Sequence, residues 1–78
     1  MMSATELQHL VKMINQISAN IATIASAEND ELALQVADHL QRFWARSMKQ
    51  KIISYADNDG AGLSIVSKQA VVRLQADF

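Results

Sequence analysis

The sequence contains no cysteine, no proline, two glycines, and few aromatic residues: one tryptophan, one tyrosine and two phenylalanines. Without cysteine the chain forms no disulfide and offers no thiolate to zinc or to an iron–sulfur cluster. Without proline, nothing of that kind interrupts a helix from within. Apolar runs are short, and none approaches the roughly 18 residues that span a bilayer. No basic stretch followed by an apolar one opens the chain, so no signal peptide is expected. Net charge is −1, so no overall field draws the protein to nucleic acid or to an anionic membrane. The expected setting is the cytoplasm.

What is present is hydrophobic residues, half of the 78, with 19% charged. This composition argues against disorder. The length suits a single domain over residues 1–78, burying about 60–65% of its unfolded surface, so the core is small. Val, Ile and Leu recur at three and four residues and not in alternation, the period of amphipathic helices. The pattern predicts helices over 4–26, 30–45, 48–57 and 65–75. The fold class is therefore all-α, a small bundle of about four helices.

Local signals set these bounds. Ser3-Ala-Thr-Glu6 has the spacing of a capping box, and Leu7, Leu10, Val11, Ile14, Ile17, Ile21 and Ile24 form the stripe that follows it. Asn15 lies off the centre of that stripe and reads as solvated. Asn29 or Asp30 is the expected cap of the second helix, and Asp38 with Arg42 the expected i, i+4 pair on its exposed side. Ser47-Met48-Lys49-Gln50 repeats the capping-box spacing. Asn58-Asp59-Gly60-Ala61-Gly62 is a turn in which Gly60 suits a left-handed helix end, and Ser64 caps the fourth helix. Phe78 frays with its neighbours unless it docks.

The second helix ends in the most informative stretch, Val36–Met48, which holds the only Trp and two of the three Arg. Ala33, Val36, Ala37, Leu40, Phe43 and Trp44 fall on one side of a helical wheel. The expected core is Leu10, Ile14, Ile17, Val36, Leu40, Phe43, Ile52 and Val66. Trp44 lies about 100° round the wheel from Phe43, which assigns Phe43 to the core and Trp44 to a partly exposed position; Trp44 closing one end of the core is the competing reading. Trp and Arg are the residue types most enriched at binding hot spots, so Arg42, Trp44, Arg46 and Met48 form the candidate partner interface.

Catalytic chemistry finds little support. His9 and His39 are the two imidazoles, no metal-ligand spacing accompanies them, and the serines occupy cap positions. Gly60-Ala61-Gly62 lacks the following Lys of a phosphate loop and reads as a helix cap. Arg42, Arg46, Lys49 and Lys51 flank an aromatic pair, an arrangement that can meet nucleic acid. They nevertheless straddle two helices in a chain that is not basic. No catalytic, cofactor-binding or metal residue is assigned.

Three segments carry a resemblance. Leu10-Val11-Lys12-Met13-Ile14-Asn15-Gln16-Ile17, then Val36-Ala37-Asp38-His39-Leu40 with Arg42-Phe43-Trp44 and Met48, then Gly60-Ala61-Gly62-Leu63 resemble, in order, the delta subunit of soluble NAD-dependent formate dehydrogenase. This chain has Ala45-Arg46 where the family often has an acidic residue and Pro, and Ile65 where it often has Pro. Those differences leave the boundary between the second and third helices less sharply marked. The resemblance implies an accessory subunit without its own active site, supporting assembly or stability. It implies a large partner subunit that oxidises formate at a molybdenum or tungsten pterin, with iron–sulfur clusters, FMN and NAD also in partner subunits. It further implies that the isolated chain, with its small core, leaves an apolar patch exposed and self-associates or needs a partner. A free-standing helical regulator binding nucleic acid through Arg42–Lys51 is the alternative.

Overall fold

The computed structural model describes residues 4–78. Four helices follow one another: α1 Ala4–Ile24, α2 Asn29–Phe43, α3 Arg46–Asn58 and α4 Ile65–Asp77. Among the described residues all regular structure is helical. Ser3 of the proposed first capping box lies outside them.

The core is built from one stripe of each helix. On α1 the buried residues are Leu10, Ile14 and Ser18, four apart and so stacked on one face. Val11, Met13, Ile17 and Ile21 pack against the core from the sides of that face. The stripe outlasts its cover, because Ile24 is 85% exposed. On α2, Leu32, Ala33, Val36, Ala37 and Leu40 are buried. The most extensive helix–helix contact is between α2 and α4, where the small buried residues Ala33, Ala37 and Ala70 suit close approach of two backbones. Ile52 anchors α3, and Val71 and Leu74 anchor α4. Ile17 and Val66 are partly buried beside these residues.

The chain directions follow from cross-helix contacts. Arg46 at the start of α3 lies over the Phe78 ring at the end of α4, 5.1 Å from its centroid, while Gly60 past the end of α3 faces Lys68 near the start of α4. These two helices therefore run antiparallel. Early in α1, Glu6 pairs with Lys51 of α3. Further along, Asn15 meets Gly62 beyond α3, so α1 and α3 run in the same direction.

Helix α2 departs most from the wheel. It stops at Phe43, and Trp44 takes the extended values φ −86°, ψ 140° while its N–H still donates to the Leu40 carbonyl. Ala45 is extended too. A wheel ceases to apply once the backbone leaves the helix. Trp44 turns back over the core and is 7% exposed, whereas Phe43 keeps its helical direction and is 71% exposed. The expected assignment of these two residues is thus reversed. The larger indole takes the place at the end of the core, burying more apolar area there than a phenyl ring would. Ala45–Ser47 does not continue α2.

Two caps also differ from expectation. Glu28, not Asn29 or Asp30, is the N-cap of α2, with no side-chain cap bond; Asp30 and Glu31 lie in its first turn, where negative charge complements the helix dipole. Helix α3 begins at Arg46 after Ala45, so Ser47 is already inside it and the second capping box does not form. The other signals hold. Gly60 has φ +68°, and the N–H groups of Asp59 and Gly60 both donate to the Tyr55 carbonyl at 3.0 Å. Ser64 Oγ accepts from the Ser67 N–H at 3.2 Å. Docking of Phe78 beneath Arg46 accompanies the extension of α4 to Asp77.

Candidate partner interface

At the α2–α3 junction the structure separates the four candidate residues by depth. Trp44 is buried and Met48 packs half-buried against the core. Arg42 and Arg46 are exposed. Arg42 Nε is 3.1 Å from Asp38 Oδ2, the i, i+4 pair expected, and Arg46 spreads over Phe78. The outward aromatic is Phe43, with the His39 ring against it at 4.8 Å and 46°. Sequence reasoning missed Phe43 as a surface residue, since the wheel puts it on the stripe.

The basic residues do not combine into one free patch. Arg42 and Lys51 are ion-paired, Arg46 covers a ring, and Lys49 Nζ donates to the Gln41 carbonyl at 3.3 Å. Three of these groups lean toward different elements: Arg42 along α2, Arg46 toward α4 and Lys51 toward α1. His9 is exposed. Among the described residues, no group of three or more His, Asp or Glu side chains is placed to share a metal ion.

A second arrangement lies between α1 and the α3–α4 turn. Asn15, expected to be solvated, is a clamp. Its Nδ2 donates to the Gly62 carbonyl at 2.7 Å, and its Oδ1 accepts from the Ser64 N–H at 3.0 Å and from Ser67 Oγ at 2.8 Å. Ser67 Oγ also lies 2.8 Å from Ser18 Oγ, whose single proton has either Ser67 Oγ or the Ile14 carbonyl as its acceptor. Both serines are buried, and such a chain of bonds satisfies polar groups that would otherwise be costly in the core. Tyr55 Oη donates to the Ala61 carbonyl at 2.7 Å. With Gly62 at φ +85°, the turn is thus held from both sides. Beside it runs an open trough of about 800 Å³, bordered by α1 from Leu7 to Ala19 and by Tyr55, Ala61 and Gly62.

The family described as NADH-dependent formate dehydrogenase delta subunit, FdsD, matches residues 9–71. The chain belongs to this family. No curated protein and no solved structure matches it. As a delta subunit it is associated with the other subunits of an NAD-dependent formate dehydrogenase. The segments that carried the resemblance have distinct places in the delta-subunit fold. Leu10–Ile17 and Gly60–Leu63 meet through the Asn15 clamp, while Val36, Ala37, Leu40 and Trp44 enter the core. Among the described residues no helix is long and apolar enough to cross a membrane.

Proposed function

We propose that this delta subunit is a non-catalytic accessory protein of the cytoplasm that supports assembly or stability of its formate dehydrogenase through protein–protein contacts. Its partner in this reading is the large catalytic subunit, with a molybdenum or tungsten pterin there and iron–sulfur clusters, FMN and NAD in the partner subunits. The family match over residues 9–71 is the observation that carries it. Composition agrees: a chain with no cysteine supplies no thiolate for cluster ligation.

The end of α2 is the proposed contact. The candidate set Arg42, Trp44, Arg46 and Met48 divides there into two jobs. Arg42 and Arg46 meet the partner beside the exposed Phe43 ring. Trp44 and Met48 hold the junction from beneath, because they pack on the core. An outward phenyl ring on the same helix end as exposed arginines combines residue types enriched at interfaces. In this reading the chain works in association, with a partner or as a homo-oligomer when isolated. Nothing specific favours the nucleic-acid alternative, since Arg42, Arg46 and Lys51 lean toward three different helices and form no single basic face.

The test is coexpression of the other formate dehydrogenase subunits with and without this chain. Omission lowers the yield of assembled enzyme while formate oxidation per assembled catalytic subunit is retained in what remains. Equal yield and equal thermal stability of the complex without the chain would refute the accessory role.

A further inference from the structure

We propose that the trough between α1, Tyr55 and the α3–α4 turn seats an amphipathic helix of a partner subunit, with its apolar side chains in the trough and a carboxylate against Lys12. This rests on the delta-subunit reading and adds to it a second surface, which shares no residue with the end of α2.

Geometry selects a helix as the occupant. Leu7, Val11, Asn15 and Ala19 form one row of α1 at intervals of four residues, and Gln8, Lys12 and Gln16 form the next. Adjacent rows of this kind leave a groove that receives a ridge of another helix. From Leu7 to Ala19 the rows extend about 18 Å, roughly three helical turns. The opposite wall is the Tyr55 ring with Ala61 and Gly62, and small residues there admit a backbone closely. The carbonyls of Ala61 and Gly62 are occupied by Tyr55 Oη and Asn15 Nδ2. The wall is a turn and not a strand, so it presents no extended edge along which a strand could add. A trough open along its length also leaves a small molecule largely exposed, unlike the enclosing clefts that hold such ligands.

Charge selects the chemistry of that helix. Lys12 is the one charged residue among those that border the trough. It makes no ion pair among the described residues, whereas Arg42 and Lys51 do. The complement of an apolar floor rimmed by Gln8, Lys12 and Gln16 is a helix with an aliphatic stripe and an Asp or Glu beside it. Two docking surfaces on one small domain suit a subunit that ties two elements of a complex together.

The test uses the full chain coexpressed with the other formate dehydrogenase subunits and captured through a tag on the catalytic subunit. Ala19→Trp fills the trough from an exposed position, and Lys12→Glu reverses the rim charge. Both residues are exposed, so each variant should keep a melting temperature within about 5 °C of the parent. With the contact at the end of α2 still present, Ala19→Trp should be recovered at a clearly lower level than the parent, and Lys12→Glu should bind about tenfold more weakly. A photo-crosslinking residue at Gln16 gives a readout that survives any misfolding of those variants: it should mark a partner-subunit helix with an apolar stripe and an acidic side chain. Recovery of both variants at the parent level overturns the proposal, as does crosslinking only to an extended or basic segment or to a second copy of this chain. Absence of the parent chain itself from the complex overturns the subunit reading and this proposal together.

Discussion

Replacing Asn15 by Ala tests whether the clamp matters as its geometry implies. The variant removes one donor bond, to Gly62, and one acceptor that serves both Ser64 N–H and Ser67 Oγ. A hydrogen bond contributes about 0.5–1.5 kcal/mol net, so three amount to roughly 1.5–4.5 kcal/mol before correction. Two corrections reduce this. Asn15 is only partly buried, so water replaces some of what is lost, and Ala is the better helix former by about 0.6 kcal/mol. A loss of about 1–3 kcal/mol remains, a large share of the stability expected for a domain of this size. At about 4–8 °C per kcal/mol, thermal unfolding followed by circular dichroism should show a drop of roughly 4–24 °C. Asn20, on the same helix and exposed, is the control: Asn20→Ala should leave the midpoint unchanged or slightly raised. Asn15→Asp sharpens the result. It keeps an acceptor for Ser64 and Ser67 but turns a second oxygen toward the Gly62 carbonyl, so it should not restore the parent value at neutral pH. If Asn15→Ala melts with Asn20→Ala, the clamp reasoning is wrong.

Trp44→Ala should cost about 3–5 kcal/mol of stability, while Phe43→Ser should cost under about 1 kcal/mol; denaturant titration of the two reveals which aromatic belongs to the core. Leu40→Ala, at a fully buried position, should cost about 2–4 kcal/mol, and an unchanged melting midpoint would show that the faces of α2 are misassigned. Gly62→Ala should destabilise by about 1–2 kcal/mol because its φ of +85° disfavours any residue with a Cβ. The steric part is small, since the added carbon would sit 3.6 Å from Val11 Cγ1, and a neutral substitution would mean that the turn relaxes freely.

The helices were legible because their signals are local. A 3.6-residue stripe, a glycine that ends a helix and a serine that begins one each act within a few residues; Gly60 and Ser64 stand where those signals put them, and α1 and α4 differ from the expected spans by two residues at their C-terminal ends. The boundaries of α2 and α3 were less legible. No proline marks the junction, and the capping-box spacing at Ser47 competes with a backbone that turns at Trp44 and Ala45. Spacing alone does not report which residue the chain bends at.

The two proposed surfaces were illegible for a further reason: what lines them depends on contacts that spacing along one helix does not report. Asn15 meets its partners 47 to 52 residues later. Seen from its own helix, it is only a polar residue at the edge of a stripe. A cue was available in retrospect, because the polar positions Asn15, Ser18, Ser64 and Ser67 flank the glycine turn on one side and border an apolar stripe on the other. Phe43 and Trp44 show the same limit at closer range. A wheel ranks adjacent residues by angle as though the helix continued, but the neighbouring helices decide where the last turn is covered, and the indole follows the bend. The consequence for function is physical. By burying Trp44 the fold leaves its neighbour Phe43 exposed, so a partner docking at the proposed contact would meet Phe43 before Trp44.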